Sequence, residues 1–370
     1  MEAHLISPTN RVTLRPRGTN LLTDGERLWP VVDGIPYLRE GELAERAAEH
    51  LRHDRVDAAR RLLLTDRDRF APGDPAQPGA LDPLFGANAT LRSAMQTLGY
   101  GPVSDYFAHR WTSPTYLTGV RLLERTACVG RPVIEVACGI GHFLRLLEQR
   151  AVPTIGIDIV YSKLWLARRF LGVRGQLVCG DIERSPPVRL GGTETERSAT
   201  VFCHDAFYFF ERKAAALRHL RSLAGPVGRL AVGHVHTRQD RHEAGFALSV
   251  EDYQALADAP VYGEGACVRP AAVYWVEGGT NARLFPLEEE NADLRLNPLL
   301  SRHGVRWPSE GWRREYEADC RRNGIDPLQD VWEPVSCADL LENDSFTTLD
   351  AIRRSTLRER RILLNLPEKW

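Results

Sequence analysis

The sequence predicts an α/β protein with a mostly parallel sheet covered by helices. Three observations lead there. Short apolar runs alternate strictly with segments of helical spacing from about residue 133 to residue 257. A glycine turn, Cys138 to Gly141, joins the first run to the first helix. The later runs end in an acid or a histidine, at the sheet edge where α/β proteins bind ligands.

Residues 1–45 read as a small β module. Asp24-Gly25 and Asp33-Gly34 are turn pairs set between apolar runs, the signature of hairpins. Residues 46–128 read as a helical linker and cap. Glu42 to Leu64 has helical spacing and alternating charge, which fits a solvated face. Residues 71–83 are rich in Pro, Gly and Asp and read as a loop. A helix is expected from about Pro114 to Arg125, after an aromatic stretch that contains Tyr106, His109, Arg110 and Trp111.

Residues 129–287 hold the alternating pattern. Val133 to Val136 is a short buried strand with Glu135 inside it, and Phe143 to Leu147 begins a helix. The position three residues after Gly141 is Leu144, not the glycine or alanine of a dinucleotide fingerprint. No Lys-Ser or Lys-Thr follows the glycines, which excludes a P-loop. Pro153 to Asp158 is the second strand and ends in an acid; a helix follows from Ser162 to Phe170 with Arg168 and Arg169 in its last turn. Gln176 to Asp181 is the third strand, Ala199 to His204 the fourth and Gly228 to His234 the fifth, with a helix from Arg212 to Leu223. Ser249 is placed to cap another helix. Two apolar runs, 271–276 and 282–287, read as an antiparallel hairpin that closes the sheet. Residues 288–370 read as a mostly helical extension that caps the site or joins subunits, which would make a homodimer.

An acid in the strand followed by Ala137, Gly139 and Gly141 resembles the first motif of the class I S-adenosylmethionine-dependent methyltransferases, a Rossmann-like fold. The resemblance spans roughly residues 100–287. It implies S-adenosylmethionine as cofactor, held by Glu135, Ala137, Gly139 and Gly141 in the turn. It further implies Asp158 and Ile159 at the ribose, Asp181 and Ile182 at the adenine, and His204 near the methionine part. The aromatic stretch often folds over the cofactor in this family, so Tyr106 and Arg110 are candidates there, Arg110 for the carboxylate. The family often has glycine where this chain has Ala137. Arg221 to Leu230 (RSLAGPVGRL) resembles the ubiquinone-biosynthesis-like branch of small-molecule methyltransferases. Leu28 to Tyr37 (LWPVVDGIPY) is similar to a Trm112-like segment without that family's zinc-binding cysteines.

Composition limits the partners. The chain has 370 residues, 43% hydrophobic and 26% charged, with a net charge of −1. That balance gives no general attraction to nucleic acid or to an acidic membrane. Seven cysteines occur without a Cys-x-x-Cys pair, which fits a reducing, cytoplasmic setting without a disulfide framework. No signal-like N-terminus and no apolar run of membrane-spanning length are read in the sequence.

For methyl transfer, the protein must align an acceptor and take up its proton where the acceptor carries one. A positioned base contributes roughly 10²- to 10⁴-fold. His204 and Tyr208 near the fourth strand, and His234 and His236 at the end of the fifth, are the candidates. Of His234 and His236, one at most is expected to point into a given cleft. No paired carboxylates with a further acid suggest a catecholate-type magnesium site, so no catalytic metal is expected. A small-molecule acceptor in specialised, natural-product metabolism is the leading expectation. A peptide or protein methyltransferase, a non-catalytic regulatory protein that binds the cofactor, and transfer of the aminocarboxypropyl arm are the alternatives.

Overall fold

The computed structural model describes residues 3–70, 75–100, 107, 110, 114–127, 130–238, 244–258, 262–263 and 272–278. Tyr106, His109, Trp111, the expected strand 282–287 and the whole C-terminal extension lie outside the described residues.

Six strands run parallel at the centre. In spatial order they are β11 (Arg229–His236), β10 (Thr200–His204), β6 (Val133–Val136), β7 (Thr154–Asp158), β8 (Gln176–Gly180) and β5 (Ile35–Leu38). The inner strands are apolar on both faces, as burial in a helix-covered sheet requires. Ile134, Ile155, Leu177, Val178, Val201 and Phe202 are fully buried. Helices α4 (Pro114–Thr126), α5 (His142–Gln149), α6 (Tyr161–Arg169) and α7 (Lys213–Ala224) pack against these strands. Each strand of the expected alternation is present to within a residue or two. Helix α8 (Val250–Ala257) starts where the cap predicts: Ser249 Oγ accepts from the Asp252 N–H at 3.1 Å.

Antiparallel strands finish both edges. β13 (Ala272–Glu277) pairs antiparallel with β11, and β12 (Tyr262–Gly263) pairs with β13. At the other edge, β5 turns back through β4 (Leu28–Val32), β3 (Leu21–Thr23) and β2 (Arg15–Pro16). The N-terminal strands therefore continue the main sheet. The Asp33-Gly34 pair makes the β4–β5 turn, with φ of 52° and 71°, the left-handed pair that a tight hairpin demands. β1 (Ala3–Leu5) pairs instead with β9 (Val188–Leu190), a strand not foreseen.

Glu42 to Leu64 divides into α1 (Glu42–Arg52) and α2 (Val56–Leu64), broken at Asp54 with φ of 54°. α3 (Leu91–Thr97) begins on a reciprocal Thr90–Ser93 cap. Residues 78–85, which overlap the end of the expected loop 71–83, form a 3-10 helix. No helix among the described residues is long and apolar enough to cross a membrane.

Candidate active site

The glycine turn has a left-handed backbone at three alternate positions: Ala137 (φ 58°), Gly139 (φ 55°) and Gly141 (φ 82°). Alanine pays roughly 1–2 kcal/mol for that conformation, which accounts for glycine at this position in relatives of the motif. A side chain on Gly139 would meet nothing within 4 Å, so its backbone lies bare to open space. Leu144, where a third glycine was absent, packs over Gly156 of β7. A methyl group on Gly156 would lie 2.5 Å from the Leu144 side chain and 3.1 Å from Cys138 Sγ. The close approach of helix to strand is thus supplied by a glycine on the strand. Cys138 is a buried packing residue whose thiol is pushed up by burial and by Asp158.

Asp158, at the end of β7, holds this turn. One carboxylate oxygen accepts from the Gly139 N–H at 2.8 Å and the other from the Val160 N–H at 2.9 Å. An ionised carboxylate has about four lone-pair sites, so each oxygen keeps one. Glu135 is buried in β6 and accepts from the Leu144 backbone, but its Oε2 has no protein donor. Burial, and then the charge of Asp158, push the Glu135 carboxyl well above its ordinary range. Asp181 follows β8 and closes its own turn by accepting from the Glu183 N–H at 2.9 Å. Ile182 is buried and Ile159 half-buried beside these acids. A bare glycine, an acid with two spare acceptor sites and a buried oxygen lacking a donor fit a bound nucleoside with hydroxyl and ammonium groups.

The loop after Asp158 is braced from the N-terminal side. Arg39 donates to the Ile159 carbonyl at 2.8 Å and pairs with buried Asp66, which in turn accepts from the Tyr161 N–H at 3.3 Å. Lys163 donates to Asp68 at 3.0 Å. Burial would lower the Lys163 ammonium, but Asp158 and Asp68 outweigh it and hold it above its usual range.

A second constellation occupies the ends of β10 and β11. Residues two apart in a strand share a face, and His234 and His236 both turn towards Asp205, contrary to the expectation that one at most would do so. Their Nε2 atoms lie 3.9 and 3.5 Å from Asp205 Oδ1, while fully buried Val235 faces away. The backbone is shaped for this: the β11–β13 register shifts between Val232 and Val235, and Asp205 and His234 have φ of 55° and 46°. Burial would raise Asp205, but Arg110 at 2.8 Å, a hydrogen bond from His236 and the charge of the histidines hold it well below the carboxylate range. Tyr208 donates to Asp205 Oδ1 at 3.3 Å, and the Tyr274 hydroxyl lies 2.9 Å from His234 Nδ1. Arg110 thus meets a carboxylate of this chain, that of Asp205.

His204 stands apart from the cluster in role. Its Nε2 donates to the Thr115 carbonyl at 2.6 Å, and its Nδ1 abuts Gly233, where a side chain would come within 2.5 Å. Burial drives its pKa down to about 3, so it is neutral and wedged between strands. His142, the first residue of α5, escaped the sequence reading. It is buried, bonded to the Phe107 carbonyl at 2.9 Å and stacked on that ring, and burial brings it to about 3. Its position directly after Gly141 was the available signal. Tyr274 and Thr115 come from distant strand and helix positions with no motif around them.

Residues 134–232 match a family model described as "Methyltransferase domain". No match was found among curated proteins. Among solved structures, similar chains include one from a complex between the Haloferax volcanii Trm112 methyltransferase activator and a protein described as a methyltransferase. It is 20% identical, with a TM-score of 0.33, over 40% of this chain and 69% of that one. Phosphoethanolamine N-methyltransferase 2 of Haemonchus contortus with S-adenosyl-L-methionine is 16% identical, with a TM-score of 0.35, over 46% and 44%. Magnesium protoporphyrin IX methyltransferase of Synechocystis PCC 6803 with bound SAM is 16% identical, with a TM-score of 0.33, over 53% and 86%. Scores of this size carry no conclusion about acceptor or reaction. The family match thus falls on the stretch from β6 to β11, whose strand ends carry both groups of residues described above.

Proposed function

Proceeding from that match, we propose that the chain methylates a small-molecule acceptor, in specialised metabolism, and that the Asp205–His234–His236 cluster is where the acceptor's reacting atom is received. The observation that carries this reading is the adjacency of two differently built strand-end sites. One is a cradle of backbone and acids on β6, β7 and β8; the other is a nitrogen-rich cluster on β10 and β11.

Bound S-adenosylmethionine supplies an activated methyl group on a sulfonium. The cradle residues Glu135, Ala137, Gly139 and Gly141 would meet its amino acid part, Asp158 and Ile159 its ribose, and Asp181 and Ile182 its adenine. Aligning two reactants lowers the barrier by as much as about 7–11 kcal/mol, which is the main task of such a site. The cluster favours ionisation of a hydroxyl or acidic carbon of the acceptor. His204 is not the base in this reading, because its Nε2 serves Thr115 and its Nδ1 faces packed backbone. Arg110 orients Asp205, and Tyr208 and Tyr274 orient the ring and carboxylate of the cluster.

The Trm112-like N-terminal segment acts here as a brace for the cofactor loop. β5 pairs with β8 beside Asp181, and Arg39 with Asp66 fixes Ile159 and Tyr161. The test is incubation of the full chain with labelled S-adenosylmethionine and fractionated extract from the source cells. Label in a low-molecular-weight fraction is the expected result. Label confined to protein, or cofactor binding with no transfer to any fraction, would overturn the small-molecule assignment.

A further inference from the structure

We infer that Asp205, His234 and His236 form a binding site for a divalent first-row transition-metal ion of the zinc class. Among the described residues, these three bring one donor atom each to within 4.8 Å of one another. The two His Nε2 to Asp Oδ1 distances are 3.9 and 3.5 Å. Bonds of about 2.1 Å around a four-coordinate ion place its ligands about 3.4 Å apart, so the two histidine-to-aspartate distances stand within a fraction of an ångström of that spacing. Two imidazoles and one carboxylate suit zinc, iron or cobalt far better than magnesium. The sequence expectation of no metal weighed carboxylate and cysteine patterns, and this cluster is rich in imidazole nitrogen.

The surroundings of His234 and Asp205 match what a metal site requires beyond its ligands. Such histidines hold the second ring nitrogen in a fixed hydrogen bond, and their carboxylates are themselves oriented. Tyr274 OH stands 2.9 Å from His234 Nδ1, which leaves Nε2 between Thr115 Oγ1 at 3.3 Å and Asp205 Oδ1 at 3.9 Å. Arg110 binds the far carboxylate oxygen, Oδ2, and leaves Oδ1 towards the histidines. The left-handed backbone at Asp205 and His234, strained for residues other than glycine, shapes the chain where both side chains turn towards the common point. Three donors among the described residues is the number that catalytic sites supply, with substrate or water in the open fourth position.

The ion's role rests on the methyltransferase reading, but its binding does not. In that reading the open position takes an oxygen of the acceptor and stabilises it in ionised form. The acceptor class is therefore a hydroxylated or enolisable molecule with an oxygen that can coordinate.

The experiment uses the full chain, stripped with chelator and dialysed. Zn²⁺ is titrated by calorimetry and Co²⁺ by visible absorption, and cofactor affinity is measured separately. One equivalent binds, with cobalt bands of low coordination number. His236→Ala and Asp205→Asn abolish saturable binding, and Tyr274→Phe weakens it about 10-fold. All three retain cofactor affinity, which reports an intact fold. His53→Ala, an exposed histidine on α1, leaves metal binding unchanged. No binding, or binding indifferent to these variants, overturns the site. Transfer activity that persists in chelator while no metal binds would overturn the ion and leave the methyltransferase reading standing. Metal binding without cofactor binding would do the reverse.

Discussion

Replacing Asp158 tests the cradle directly. In the folded protein its two oxygens accept the Gly139 and Val160 N–H groups at 2.8 and 2.9 Å. Hydrogen bonds to a charged group contribute about 1.5–3 kcal/mol each. Asp158→Ala loses two of them and recovers part of the cost of burying the charge, so a net stability loss of about 3 kcal/mol is expected. The substitution is thus not silent for the fold, yet it leaves a folded protein to assay. The two remaining acceptor sites match the two hydroxyls of a ribose. Losing both contacts, at about 1.5–3 kcal/mol each, weakens cofactor affinity by at least about 100-fold. The assay is calorimetric titration of S-adenosylhomocysteine into the variant, after urea denaturation has shown the transition to be cooperative. Asp158→Asn, which keeps one acceptor oxygen, should fall between the two. Wild-type affinity in a folded Asp158→Ala protein would refute the assignment.

Three further outcomes are expected. His142 and His204 are neutral and buried with pKa near 3, whereas an unfolded histidine titrates near 6.5. The unfolded chain binds more protons below 6.5, so stability is full above that pH and is lost as pH falls towards 3. The two together should remove about 4 kcal/mol between pH 7 and pH 5, and urea midpoints that stay flat over that range would contradict their burial. Gly156→Ala should destabilise by about 1–3 kcal/mol through overpacking, and Leu144→Ala in the same chain should recover part of that loss. Strict additivity in this double-mutant cycle would show that the two do not touch. Asp66→Ala, which takes the buried carboxylate away from half-buried Arg39, should cost about 1.5–3 kcal/mol and weaken cofactor binding as well. Loss of stability with cofactor affinity intact would show that the brace does not reach the loop.

Much of the sheet was legible because buried parallel strands are short apolar runs with punctuated ends, and 133–136, 154–158, 176–180 and 200–204 are of that kind. Gly139, Gly141, Asp158 and Asp181 stand at or just after those ends, which is why the sequence alone proposes them as a cradle. The convergence on Asp205 was not. It depends on a register shift between Val232 and Val235 and on left-handed backbone at two non-glycine residues, and residue type does not announce either. The compensation of Leu144 by Gly156 was hidden because the two are partners across helix and strand. The pairing of β5 with β8 was hidden likewise, since long-range register leaves no mark on local periodicity.

That last pairing sets an order of events. Tyr37 lies opposite Cys179, with more than a third of the chain between them. On the ribosome the first hairpins emerge early and then wait, one strand edge uncovered, until β8 has been synthesised and seated against β7. Closing so wide a loop is slow, and an uncovered strand edge invites pairing with other chains. Productive assembly of this protein therefore depends on how well its opening residues are kept from strange partners while the centre of the sheet is being made.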